Sequence, residues 1–213
     1  TSCKPSPSSP EPLNPNINPS TASTASTSST IDYDSTQWTE LTPADSVTID
    51  LRYATTNNFV KAKMYPCARC FFRKEAADAL KHINRELRTK GYQLKFFDCY
   101  RPRPVQQRLW DKVPNPDYVA DPAKGSMHNR GAAADLTITD LNGKEINMGT
   151  TYDFFGPEAH QDYMQLPDPI LAHRKLLTSA MEAGGFQRIR TEWWHFDLQN
   201  ALPPLAEWEW ECK

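Results

Sequence analysis

The chain has 213 residues, with Lys plus Arg 24 against Asp plus Glu 26 and a formal net charge of -2. That length fits one domain with room for a tail. The near-neutral charge excludes a nucleic-acid or anionic-membrane binder driven by net charge, and no run approaches the ~18 apolar residues of a transmembrane helix.

Residues 1–30 contain no aromatic side chain and only two charges, Lys4 and Glu11. Pro5, Pro7, Pro10, Pro12, Pro15 and Pro19 alternate with Ser and Asn, and a Thr/Ala/Ser tract follows. Such a stretch buries too little apolar surface to offset its ordering entropy, so it reads as a disordered, partly polyproline tether. Cys3, behind the small residues Thr1 and Ser2, looks like the cleavage region of a bacterial lipoprotein. The expectation is a lipid anchor at Cys3 and no other membrane contact. From Ile31 to Lys213 the composition is that of one globular domain.

Within that domain, Val47, Ile49 and Leu51 alternate and predict a short strand over Asp45–Tyr53. Arg73–Lys90 reads as a helix, with Ala76, Leu80, Ile83 and Leu87 on one stripe and Gly91 as its stop. Tyr92–Cys99 reads as a strand. Pro104 opens a second helix through about Lys112, and a Pro-rich loop follows from Pro114 to Gly125. Ala132–Thr139 reads as a strand, and Asp140–Gly143 as a turn. Asp168, with Pro169 behind it, caps a third helix that ends at Gly184–Gly185. Phe186–Leu198 holds the last strand. Helices and strands mix without regular βαβ alternation, so the fold class is α+β.

Two histidines have chemically informative surroundings. His128 stands in Ser126-Met127-His128-Asn129-Arg130-Gly131-Ala132-Ala133-Ala134-Asp135. Gly131 lets the backbone turn between the imidazole and the next strand, where Ala132, Ala134, Leu136 and Ile138 share one face and Asp135 the other. A histidine on the turn and a carboxylate on the strand can converge on one point. His195 stands in Glu192-Trp193-Trp194-His195-Phe196-Asp197. Regular strand geometry puts Glu192 and His195 on opposite faces, so a shared site requires Glu192 at a bulge or on the approach to the strand. Either histidine alone is more often a hydrogen-bonded core residue than a ligand. Together, two His and an Asp match a three-ligand catalytic zinc with an open fourth position.

Ser-x-His-x-x-Gly-x-Ala-x-Asp followed by Glu-x-x-His resembles the zinc D-alanyl-D-alanine dipeptidases of the VanX type. That group shares its fold with the D,D-peptidases and the Hedgehog signalling domain. The resemblance extends to Arg52-Tyr53-Ala54-Thr55-Thr56-Asn57-Asn58-Phe59, to Asp98-Cys99-Tyr100-Arg101-Pro102 and to Met148-Gly149-Thr150-Thr151-Tyr152-Asp153-Phe154. It implies a central, mostly antiparallel sheet flanked by helices and one zinc ion per chain, held by His128, Asp135 and His195. It implies Glu192 as general base and then acid, Arg101 as oxyanion stabiliser, and Tyr53, Ser126 and Asp153 around the free amino end of a small D-dipeptide. Between Trp110 and Ser126 the chain departs from the vancomycin-resistance dipeptidases, which carry a longer insert there. A more open cavity and a wider range of D-containing dipeptides are therefore expected.

Two rival functions stay in view. One is a D,D- or L,D-carboxypeptidase acting on peptidoglycan stems; Tyr53 and Asp153 argue against it. The other is a non-catalytic zinc domain that binds cell-wall peptide, against which Glu192 and Arg101 argue. With Cys3 set aside, Cys67, Cys70, Cys99 and Cys212 make an even set for two disulfides, and three pairings are open. Bridges and a lipid anchor together point to a periplasmic or cell-envelope location. His82, His160 and His173 read as structural or surface residues, and Trp38, Trp208 and Trp210 as packing.

Overall fold

The first long helix buries an apolar stripe and one polar side chain beside it. α1 (Lys74–Arg88) buries Ala76, Ala77, Leu80, Ile83 and Leu87 on one stripe. Its neighbour Asn84 is buried too, because its side chain accepts from the amide of Leu94 and donates to the carbonyls of Asp45 and Ser46. The helix is thereby tied to the strand that follows it and to the loop before β2. The structure, a computed structural model, describes residues 1–3, 31–116 and 118–212. Of the tether expected over residues 1–30, residues 4–30 lie outside the described residues. Ile31–Lys213 form one compact unit.

A five-stranded sheet crosses this unit in the order β2 (Thr48–Ile49), β4 (Tyr92–Asp98), β5 (Ala133–Asp140), β7 (His195–Leu198), β6 (Phe186–Arg188). Only β2–β4 is parallel; the other pairs are antiparallel. A separate two-stranded ribbon pairs β1 (Trp38–Leu41) with β3 (Cys70–Arg73). α1 and α3 (Asp168–Ala183) pack on each other, and α1 also packs on β4. The architecture is the α+β arrangement of a mostly antiparallel sheet with flanking helices.

Register places the chemistry. A bulge at Phe97 brings Asp98 opposite Asp135, and Asp135 in turn lies opposite His195. Without the extra residue, Asp98 would move one position along β5 and its side chain would leave the row. Three polar side chains from three adjacent central strands thus stand side by side at one end of the sheet.

Several elements differ from expectation for local reasons. Only Thr48–Ile49 of the expected strand Asp45–Tyr53 pairs; Arg52–Ala54 then make a 3₁₀ turn that buries Tyr53. Arg73 ends β3 with an extended backbone and stands before α1 rather than within it. β3 escapes a periodicity reading because its apolar run Cys70-Phe71-Phe72 leads straight into the helix. α2 (Arg103–Lys112) has Pro102 at its cap and Pro104 inside its first turn. Pro167 caps α3, leaving Asp168 as its first helical residue, where a carboxylate faces the positive end of the helix dipole. The segment Phe186–Leu198 contains two paired strands joined by residues 189–194.

Two disulfides close the fold, Cys67–Cys212 and Cys70–Cys99. Neither a Cys67–Cys70 nor a Cys99–Cys212 bridge forms: Cys70 opens β3 facing the end of β4, and Cys67 faces the returning C-terminal segment. That segment lays Trp208 and Trp210 against Trp38, Phe71 and Tyr100, and Trp210 also packs on Tyr65. Loops of this size make each bridge worth about 3–5 kcal/mol in the chain-entropy picture. Cys3 is exposed and unbridged.

Candidate metal centre and substrate cavity

His128 opens a 3₁₀ turn that ends at Gly131, whose φ of +70° lies in the left-handed region. A Cβ there would come within 2.3 Å of the Trp38 ring, so both backbone and packing demand glycine. The turn delivers the His128 ring beside the first residues of β5. Its Nδ1–H donates to the carbonyl of Cys99 at 2.7 Å, which leaves Nε2 as the free acceptor. Nε2 lies 3.2 Å from Asp135 Oδ1 and 3.2 Å from His195 Nδ1. His195 Nδ1 lies 2.9 Å from Asp135 Oδ1. On its far side, His195 Nε2–H donates to Asp197 Oδ1 at 2.9 Å. Each imidazole is therefore oriented by an oxygen on one nitrogen and presents the other nitrogen to a common point.

Asp135 completes the cluster. Its Oδ2 accepts from the hydroxyl of Tyr152 at 3.0 Å. Burial opposes its ionised form, but the electrostatic pull of His128 and then of His195 outweighs that and holds the carboxyl well below the usual range in the metal-free site.

Glu192 lies on residues 189–194, the approach to β7, which resolves the conflict of faces with His195. Its Oε2 is 3.9 Å from His195 Nδ1. Burial raises the Glu192 carboxyl against the pull of His195, and Asp135 adds to the rise. Arg101, buried at the end of β4, is held by Asp98 and Gln106. Its backbone is tied to the His128 turn, since its N–H donates to His128 and its carbonyl accepts from the side chain of Asn129.

Asp153 is partly buried and has a φ of +58°, a left-handed conformation that costs an L-residue about 1–2 kcal/mol. Its Oδ2 accepts from the hydroxyl of Tyr53 at 3.3 Å. Desolvation first, and Asp135 next, push its carboxyl well above the ordinary value despite Arg101 and the Tyr53 hydrogen bond. Arg101 offsets this only in part, its guanidinium being hydrogen-bonded to Asp98. Ser126 N–H and Oγ both engage Asn129 Oδ1, at 2.8 and 3.1 Å.

Tyr53, Arg101, Ser126, His128, Asp135, Asp153, Glu192 and His195 all line one cavity of about 340 Å³, at the small end of ligand sites. The Pro-rich loop does not stand away from this cavity. Pro116, Tyr118, Val119 and Ala120 form part of its wall, and the Tyr118 ring packs on Phe155.

The family described as D-ala-D-ala dipeptidase matches residues 34–210. The D-alanyl-D-alanine dipeptidase of Escherichia coli (strain K12) is 38% identical over 77% of this chain and 86% of its own. That of Streptomyces coelicolor (strain ATCC BAA-471 / A3(2) / M145) is 31% identical over 73% of this chain and 87% of its own. Among solved structures, the vancomycin-resistance D,D-pentapeptidase VanY in complex with Zn(II) aligns with a TM-score of 0.42 at 15% identity, covering 61% of this chain and 73% of that one.

The chain belongs to the D-ala-D-ala dipeptidase family.

Dipeptidases of this family are zinc peptidases, and the donor set fits that metal. His128 Nε2, His195 Nδ1 and an Asp135 oxygen lie within 4.8 Å of one another. Tetrahedral zinc with bonds near 2.05 Å sets its ligand atoms about 3.3 Å apart, close to the separations seen here. A dipeptidase site also needs supports that a motif reading passes over. Asp98, Gln106, Tyr152 and Asp197 are such residues. Asp197 had a signal, since it shares the strand face of His195 two residues on. Asp98 and Tyr152 stood inside the resembling segments without a role of their own, and Gln106 had no signal, because its contact depends on how α2 folds back.

Proposed function

We propose that this chain hydrolyses D-alanyl-D-alanine to two D-alanines, with zinc held by His128, Asp135 and His195. Held there, zinc would supply Lewis-acid polarisation of the scissile carbonyl and a water of lowered pKa, about 7. Glu192, with its carboxyl tuned upward, takes a proton from the attacking water and delivers it to the amine nitrogen as the C–N bond breaks. Arg101 faces the carbonyl oxygen as negative charge develops there. Tyr53, Ser126 and Asp153 hold the substrate's ammonium.

The observation that carries this reading is Asp153: a desolvated carboxylate with no ion pair of its own among the described residues, on the wall of the cavity that holds the metal cluster. A free ammonium completes it; an amide nitrogen leaves it unpaired, with the full desolvation penalty. The same feature counts against a carboxypeptidase, whose substrate places an amide at that point. The test compares D-Ala-D-Ala with its N-acetyl form. Cleavage of the free dipeptide alone is expected, and equal rates on both contradict the reading.

For location, we propose the cell envelope, with a lipid anchor at Cys3. The two disulfides support an oxidising compartment. Mass spectrometry of the mature protein from its native host tests this: a lipid adduct on Cys3 is expected, and an unmodified thiol contradicts it.

A further inference from the structure

Aromatic rings continue from Asp153 along the cavity wall to two partly exposed rings. Tyr53, the hydrogen-bond partner of Asp153, meets Phe59 edge-on with centroids 6.2 Å apart. Phe59 meets Phe155 edge-on at 5.1 Å, and Phe155 meets Tyr118 at 4.4 Å and 39°. The first ring is buried, but Phe155 and Tyr118 are 43% and 47% exposed. Exposed aromatic carbon at the rim of a polar cavity is a feature that soluble surfaces usually avoid unless it serves recognition.

The two outer rings come from different segments. Phe155 lies two residues after the left-handed Asp153, and Tyr118 sits in the connection between α2 and the His128 turn. Both rings line the cavity that Asp153 also lines. A single tilted ring contact, worth about 0.5–1.5 kcal/mol beyond the area it buries, is weak enough to open thermally, which suits a closure made by loops.

We propose that Tyr118 and Phe155 form a gate that closes behind the substrate's ammonium and limits peptide length at the amino end. The proposal rests on the assignment of Asp153 as the ammonium anchor and adds a second, steric determinant to it. A residue joined through that nitrogen must pass between Asp153 and the two rings. The short Pro-rich loop then has a positive role: it is long enough to carry Tyr118 across to Phe155.

The test measures kcat/KM for D-Ala-D-Ala and for the tripeptide L-Lys-D-Ala-D-Ala, scored by release of the terminal D-alanine, in wild type, Phe155→Ala and Tyr118→Ala. The readout is the tripeptide-to-dipeptide ratio, which a general loss of activity leaves unmoved. Removing either ring is expected to raise that ratio by about tenfold or more, the scale on which pocket sterics discriminate. Tyr118→Ala alters an exposed loop residue and keeps the test available where Phe155→Ala folds poorly. A ratio unchanged in a folded Tyr118→Ala protein that still cleaves the dipeptide overturns the gate. Wild-type protein that leaves D-Ala-D-Ala intact overturns the dipeptidase reading itself, and the gate with it.

Discussion

Arg101 rests on Asp98 through two of its nitrogens, Nε at 2.9 Å and Nη2 at 2.7 Å from one carboxylate oxygen. The other Asp98 oxygen accepts from Tyr65 at 2.6 Å and from the amide of Cys99 at 3.0 Å. Nη1 of Arg101 donates to Gln106, which donates onward to the carbonyl of Ala120 in the cavity wall. The guanidinium is thus aimed from both sides before any substrate arrives.

Arg101→Ala is expected to lower kcat on D-Ala-D-Ala by about a hundred- to a thousandfold, the loss typical of one oxyanion donor. Arg101→Lys should recover little of it, because an ammonium cannot reproduce the fork. Zinc content should stay at one per chain in both variants. Steady-state kinetics with metal analysis checks this; a near-normal rate in Arg101→Ala removes its role.

Asp197 orients His195 from outside the metal cluster. Replacing it with Ala frees the ring to rotate and removes the acceptor that keeps Nδ1 available. Zinc affinity is expected to fall about 10–100-fold, measured by competition with a chromophoric chelator. An unchanged affinity shows that packing alone fixes the ring.

The Asp153 carboxyl holds its proton to higher pH in the fold than in the unfolded chain. Its contribution to stability is therefore fully present below the ordinary carboxylate pKa of about 3.9 and is lost as pH rises through the raised value. At neutral pH it destabilises the substrate-free protein. Asp153→Asn, which also tolerates a positive φ, should raise Tm at pH 7, with the gain shrinking toward pH 4. The same variant should lose kcat/KM on D-Ala-D-Ala. A lower Tm at pH 7 than at pH 4, relative to wild type, contradicts this assignment.

The disulfides make a separate prediction. Cys67→Ser with Cys212→Ser should cost about 3–5 kcal/mol, and thermal melts should match those of the mildly reduced wild type. The C-terminal segment with Trp208 and Trp210 should then loosen first, visible as an early change in tryptophan fluorescence.

Much of this site was legible because its chemistry is local in sequence. His128 and Asp135 are joined by a glycine turn and a strand, and Glu192 and His195 by one loop end. The helix stripe Ala76–Leu87 and the β4 and β5 runs carry their periods openly. What stayed hidden depends on distant pairing. The Asp98–Asp135–His195 row needs the bulge at Phe97, which no local period encodes. The bridge Cys70–Cys99 needs β3, masked by its junction with α1. The Tyr118–Phe155 contact joins two loops, where neither hydrophobic period nor capping gives a cue.

The central claim is that the His128–Asp135–His195 cluster, loaded with zinc, hydrolyses D-Ala-D-Ala. The most direct measurement is release of D-alanine by purified protein before metal removal, after it, and after zinc is returned. The expected result is hydrolysis that vanishes with the metal and returns with one equivalent of zinc. Hydrolysis that survives metal removal, or no hydrolysis in the zinc-loaded protein, contradicts the claim.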